Sequence, residues 1–119
     1  MQIHQSAEDY LETILMLNQR MGRVRSIDVV NELGYTKASV SIAMKKLREN
    51  GYIAVDGEGN LTLLEPGREI AERIYSRHRL LTHFFVQLGV EEDIAAEDAC
   101  KAEHILSEQT LEKIREYAL

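Results

Sequence analysis

The stretch SIDVVNELGYTKASVSIAMKKLRENG, Ser26 to Gly51, decides the fold. Ser26 caps a short helix that runs to Leu33, and Gly34 supplies its left-handed stop. Thr36 then caps a longer helix that turns Val40, Met44 and Leu47 inward and ends at Asn50-Gly51. A short helix, a tight glycine-containing turn and a second capped helix make a helix-turn-helix. Downstream, Tyr52-Ile53-Ala54-Val55 and Leu61-Thr62-Leu63-Leu64 flank Asp56-Gly57-Glu58-Gly59-Asn60, two apolar runs around a glycine-rich turn. That pattern is a β-hairpin, and a hairpin directly after a helix-turn-helix is a wing.

Upstream, Ser6 reads as the cap of a first helix over 7–21, with Tyr10, Ile14, Leu17 and Met21 at helical spacing. After the wing, Glu65-Pro66-Gly67 opens a helix that continues to about Leu88, where Gly89 stops it. A fifth helix is expected over 91–106 and a sixth after Ser107, with Leu111, Ile114 and Ala118 on one stripe. The expected class is therefore mainly α: an N-terminal winged helix-turn-helix over residues 1–64, then an all-helical dimerisation domain over 65–119.

At 119 residues, 45 % of them hydrophobic and 29 % charged, the chain is long enough for a true core without staples. A single cysteine makes no internal disulfide, which suits a reducing cytoplasm. No signal-peptide pattern opens the chain, and no apolar stretch approaches the roughly 20 residues of a membrane span. The net charge of −6 argues against nucleic acid until it is divided along the chain. Residues 20–50 carry seven basic and three acidic side chains, for +4, whereas residues 65–119 carry seven basic and twelve acidic ones, for −5. A basic segment inside an acidic chain, on a helix-turn-helix, points to double-stranded DNA. Thr36, Lys37, Ala38, Ser39 and Ser41, at the start of the second helix of the pair, suit the groove. Arg23, Arg25, Lys45, Lys46 and Arg48 suit the phosphate backbone.

A second constellation lies far from these residues. Cys100, Glu103 and His104 stand at i, i+3 and i+4, so on a continuous helix they share one face. A thiolate, a carboxylate and an imidazole on one patch make a transition-metal half-site. The triplet alone also admits a small core cysteine beside two polar surface residues. His78 lies on the apolar line Ile70, Ile74, His78, Leu81, Phe85, where a satisfied core histidine is the commoner occupant. Asp9 and Glu12, one turn apart near the start of the first helix, read equally as partners of the helix dipole.

Taken together, the winged helix, the histidine within Arg77-His78-Arg79-Leu80-Leu81 and the Cys-x-x-Glu-His motif resemble the diphtheria toxin repressor and manganese transport regulator family. The opening Ala7-Glu8-Asp9-Tyr10-Leu11-Glu12 is similar to that family's first helix, and the likeness covers essentially the whole chain. The resemblance implies six metal ligands: Asp9, Glu12, His78, Cys100, Glu103 and His104. They form a hybrid set, because the manganese branch has Glu at the Cys100 position and the iron branch has Met at the Asp9 position. Thr82 and Ala96 stand where the iron branch's ancillary site has Glu and His, so that second site is not expected. The iron branch's C-terminal domain is likewise not expected. Oxygen donors favour Mn(II), and a thiolate favours Fe(II), with Zn(II), Co(II) and Ni(II) able to compete in vitro. One ion, or two bridged by Glu103, both satisfy the set.

The function implied is a metal-dependent repressor that senses Mn(II) or Fe(II), binds a palindromic operator as a homodimer and controls metal-uptake genes. A metal-independent winged-helix regulator answering to a small organic ligand is the alternative, separated by whether a chelator abolishes DNA binding. A metal storage or delivery protein would leave the reading helix idle. An enzyme is not expected: the donor set looks closed, catalytic metals keep an open position, and nothing marks a substrate pocket or a separate general base. No small-molecule substrate and no membrane partner are implied.

Overall fold

The computed structural model describes residues 5–118. Six helices and one hairpin follow in the order α1 (Gln5–Met21), α2 (Ser26–Leu33), α3 (Lys37–Glu49), β1 (Ile53–Val55), β2 (Leu61–Leu63), α4 (Glu65–Gln87), α5 (Glu92–Ala102) and α6 (Glu108–Tyr117). The chain divides into two compact units, Met1–Glu72 and Arg73–Leu119, with the division inside α4.

The first unit is a winged helix. Tyr10, Leu11, Ile14, Leu15 and Leu17 of α1 are buried with Val29 of α2, Val40, Met44 and Leu47 of α3, and Ile53, Leu61 and Leu63 of the hairpin. Met21, expected on the same stripe of α1, is 50 % exposed. Ser6 lies inside α1 rather than capping it, since the helix already includes Gln5. The cap of α2 is Arg25 rather than Ser26: the backbone N–H of Arg25 donates to Asp28 Oδ2 at 2.9 Å, so the acidic third residue closes that end. Gly34 ends α2 at φ 72, a left-handed turn that costs glycine nothing. Thr36 caps α3 by accepting the backbone N–H of Ser39 at 3.1 Å.

In the wing, β1 and β2 pair antiparallel, Ile53 with Leu63 and Val55 with Leu61. Asp56 organises the turn: its Oδ1 accepts the backbone N–H groups of Glu58 and Asn60, and its Oδ2 accepts the Asn60 side-chain amide, each at 2.9 Å. The hairpin is also held from outside. Leu61 N–H donates to Val24 O at 2.7 Å, and Arg25 bridges Asn60, so the segment before α2 adds a short third rung to the sheet. At the far end, Gly67 packs so closely that a β-carbon there would lie 2.2 Å from the Tyr52 carbonyl oxygen.

The second unit packs α4, α5 and α6 around Leu81, Ala99 and Leu111, with Leu80, Phe85, Ala102, Leu106 and Ile114 against them. Ser107 caps α6 by accepting the Thr110 N–H at 3.1 Å. The expected helix over 91–106 stops earlier, at Ala102. Arg77 of α4 accounts for this: its Nη1 donates to the Glu103 carbonyl at 3.1 Å, taking from the helix the oxygen that would continue its ladder. The Ala102 carbonyl accepts both the Ile105 and the Leu106 N–H, and Ser107, whose N–H would have met the Glu103 carbonyl, is already the extended cap of α6. Among the described residues, no helix is long and apolar enough to cross a membrane.

Candidate metal centre and DNA-reading face

Because α5 ends at Ala102, Glu103 and His104 are placed by a turn rather than by a continuous helix face. Glu103 is fully buried, and the His104 side chain is 1 % exposed. The Glu103 carboxylate stands between two imidazoles: Oε2 lies 3.0 Å from His78 Nδ1, and Oε1 lies 3.4 Å from His104 Nε2. Arg77, next to His78, fixes the Glu103 backbone through its carbonyl and pairs with Glu108 at the start of α6. One carboxylate is thus clamped by two adjacent residues of α4, one on its side chain and one on its main chain. The His78 carbonyl itself accepts the Thr82 hydroxyl at 2.8 Å.

This donor set suits a divalent ion. For metal–ligand bonds of about 2.0–2.1 Å, adjacent donors lie about 3.0 Å apart in an octahedron and about 3.3 Å apart in a tetrahedron. The 3.0 Å separation to His78 matches the octahedral value and the 3.4 Å one to His104 lies just beyond the tetrahedral value, and two imidazoles with a buried carboxylate are ligands of intermediate hardness. Cys100 lies one turn earlier on α5 and is exposed.

In the first unit, Asp9 and Glu12 sit one turn apart on α1, with carboxylate oxygens within 4.8 Å of one another. Glu12 is only 5 % exposed, an unusual position for a carboxylate that merely faces a helix dipole. Burial first, then the neighbouring Tyr35 and Asp9, hold the Tyr10 hydroxyl above the usual tyrosine range.

The candidate DNA-reading face is α3. Lys37, Ala38, Ser39, Ser41, Lys45, Lys46 and Arg48 are exposed, while Val40, Met44 and Leu47 are buried beneath them. Thr36 is exposed too, but its hydroxyl is committed to the cap: it accepts the Ser39 N–H and donates to Ser39 Oγ at 2.9 Å. Arg23 is open to solvent, 3.8 Å from Glu58 of the wing turn. Arg25 is exposed but also structural, joining the cap of α2 to the wing.

Sequence reasoning overlooked two residues. Arg77 orders the turn that carries Glu103, and its position beside His78 was the available clue. Ile42, in the middle of α3, is 58 % exposed, as a helical projection from Val40, Met44 and Leu47 would have shown.

Two family models cover the chain almost end to end. Residues 2–61 match the iron dependent repressor N-terminal DNA binding domain, and residues 64–118 match the iron dependent repressor metal binding and dimerisation domain. An uncharacterized HTH-type transcriptional regulator of Methanocaldococcus jannaschii is 35 % identical over 113 residues, covering 93 % of this chain and 90 % of its own. The HTH-type transcriptional regulator MntR of Lysinibacillus sphaericus is 32 % identical over 109 residues, covering 92 % of this chain and 78 % of its own. A solved manganese-dependent transcriptional repressor in complex with manganese superposes with a TM-score of 0.86 at 29 % identity, over 94 % of this chain and 52 % of that one. The chain therefore spans about half the length of that solved relative.

Proposed function

This chain belongs to the iron-dependent repressor family, a family of transcriptional repressors and not of enzymes, and from that premise we propose that it is a metal-activated repressor sensing Mn(II) or Fe(II). The observation that carries the reading is the buried Glu103 carboxylate between the His78 and His104 imidazoles, in a chain whose α3 offers a basic, hydroxyl-rich face.

In this reading residues 1–64 read DNA and residues 65–119 bind metal and dimerise. The six donors are Asp9, Glu12, His78, Cys100, Glu103 and His104. His78, Glu103 and His104 are preorganised within their own unit, and Asp9 and Glu12 form a second carboxylate pair on α1. Each group by itself is short of a full coordination shell, which supports their serving one centre. A divalent ion supplies the positive charge that makes a cluster of carboxylates favourable rather than repulsive. Glu12 and Asp9 then tie the orientation of the reading half to that of the helical half. A homodimer so fixed offers two copies of α3 to a palindromic operator, at half-sites one helical turn apart. Metal and operator affinities are coupled reciprocally, by a factor of about 5–150. Regulated genes of metal uptake and a cytoplasmic location complete the proposal.

Manganese over iron or zinc is a matter of donor type. Carboxylates favour the harder ion, an engaged Cys100 favours the softer ones, and affinity alone ranks manganese lowest. The test is fluorescence anisotropy of a palindromic DNA library titrated with the protein under anaerobic conditions, with Mn(II), Fe(II), Zn(II), Co(II) or chelator. The expected result is tight binding only with metal. Equal binding with and without chelator would overturn the proposal and favour a regulator answering to a small organic ligand.

A further inference from the structure

We propose that Ile42 reads the C5-methyl group of a thymine in the major groove and so sets sequence preference at one position of each half-site. The assignment rests on reading α3 as the DNA-reading helix and goes beyond it by naming what the centre of that helix recognises.

Ile42 lies in the interior of α3 and is 58 % exposed. At about 100° per residue it is turned about 200° from the buried Val40, on the side of the helix directly opposed to the core. A β-branched residue in that position lowers helix propensity relative to Lys, Glu or Ala and gains nothing from burial. The fold of the winged unit has no use for it. Ala38, one turn earlier, is exposed on the same side, so the two side chains form a short apolar strip along the axis. Ser39 and Ser41 flank the strip, and exposed Lys45 and Lys46 follow it.

A surface complementary to this face is anionic at its edges and apolar at one point of its floor. The major groove of B-form DNA has that form wherever it holds a thymine: phosphates line both walls, and the C5-methyl is the one apolar feature the base edges offer. Ile42 has no donor or acceptor, so opposite a G·C pair it would leave polar base edges unmatched and desolvated. The strip also lies in the first half of α3, the part of a recognition helix that meets base edges. Glu49, the acidic residue that ends α3, closes the same side two turns beyond Ile42 and limits the reading surface to that first half.

The test uses the Mn(II)-loaded full chain. A duplex is selected from a random-sequence library, and each thymine is then replaced singly by uracil, which removes the methyl and leaves base pairing intact. One position in each half-site should weaken wild-type binding about fourfold, the worth of one buried methyl. The same replacement should have almost no effect on Ile42→Ala or Ile42→Ser, exposed substitutions checked for folding by circular dichroism, while Lys45→Ala keeps the full sensitivity. Indifference of the wild type to every uracil, or equal sensitivity in the Ile42 variants, would overturn the assignment of Ile42 alone. Failure of the wild type to select any duplex with any metal would instead remove the reading of α3, and this inference with it.

Discussion

Oε2 of Glu103 lies 3.0 Å from Nδ1 of His78, a contact made across 25 residues of chain and entirely within the helical unit. It joins a fully buried carboxylate to an imidazole whose side chain is 21 % exposed. A buried carboxylate is costly unless partnered, and the His78 imidazole is such a partner.

Glu103→Gln keeps the shape and removes the charge. The helical unit should stay folded, because Leu81, Ala99 and Leu111 do not depend on the carboxylate. Affinity for Mn(II) should fall by at least about tenfold to a hundredfold, the range seen when a partner of a metal site is altered. Electron paramagnetic resonance of free Mn(II) during titration measures it. An unchanged affinity would separate Glu103 from the metal.

Arg77→Met tests whether positioning is separable from ligation. Arg77 touches the Glu103 carbonyl and Glu108 but offers no metal donor. Losing its bond to the carbonyl should destabilise the unit by about 1.5–3 kcal/mol, the range for hydrogen bonds to charged groups. Metal affinity should also fall, by about tenfold or more, because Glu103 and His104 lose the turn that holds them. Thermal unfolding with and without Mn(II) distinguishes the two effects: the metal-induced rise in Tm should shrink along with the metal-free Tm.

Gly67→Ala should be among the most damaging single-methyl changes in the winged unit. The added carbon would fall 2.2 Å from the Tyr52 carbonyl oxygen and 3.3 Å from Leu11, and a main-chain oxygen cannot swing aside. Forced displacement of well-packed backbone costs about 1–3 kcal/mol and occasionally more. Denaturant unfolding should show a lower midpoint at unchanged slope.

Acidification should loosen the wing. The Asn60 side-chain amide, then the Asn60 backbone N–H and those of Glu58 and Gly59, hold the Asp56 carboxyl below its ordinary value of 3.8. A carboxyl depressed in the folded state adds stability above its unfolded value, and that contribution is lost as pH falls through the folded one. The titration of Asp56 followed by NMR should therefore have its midpoint below 3.8, and Asn60→Ala should move it upward. A midpoint unmoved by that substitution would mean the turn is not held by these bonds.

The parts of the fold legible in the sequence are those fixed by local chemistry. Gly34, Thr36 and Ser107 mark helix ends because caps and left-handed turns act within a few residues. The wing was legible because Asp56 to Asn60 make their own turn. Three features were not, and each depends on a partner distant along the chain. The end of α5 is set by Arg77, 26 residues earlier. The extra rung at Val24 and Arg25 exists only once the hairpin has formed. The spacing of Cys100, Glu103 and His104 assumes a helix that Arg77 interrupts, and the Glu103 and His104 side chains are buried while Cys100 is exposed.

Lys45→Ala separates phosphate contact from base reading on the same helix. Lys45 is exposed on α3 next to the buried Met44, three residues beyond Ile42. An ammonium group is a compact point charge with no fixed fork, suited to a phosphate rather than to one base edge. Its removal should therefore weaken binding to every duplex by a similar factor. Each phosphate neutralised by a lysine releases condensed counterion, so the slope of log affinity against log salt should shrink by about 0.9 for each phosphate that Lys45 no longer neutralises. The measurement is anisotropy on the selected duplex and on a scrambled duplex, over about 50–200 mM salt with Mn(II) held constant. A weakening confined to the selected sequence, with an unchanged salt slope, would make Lys45 a reader of bases instead.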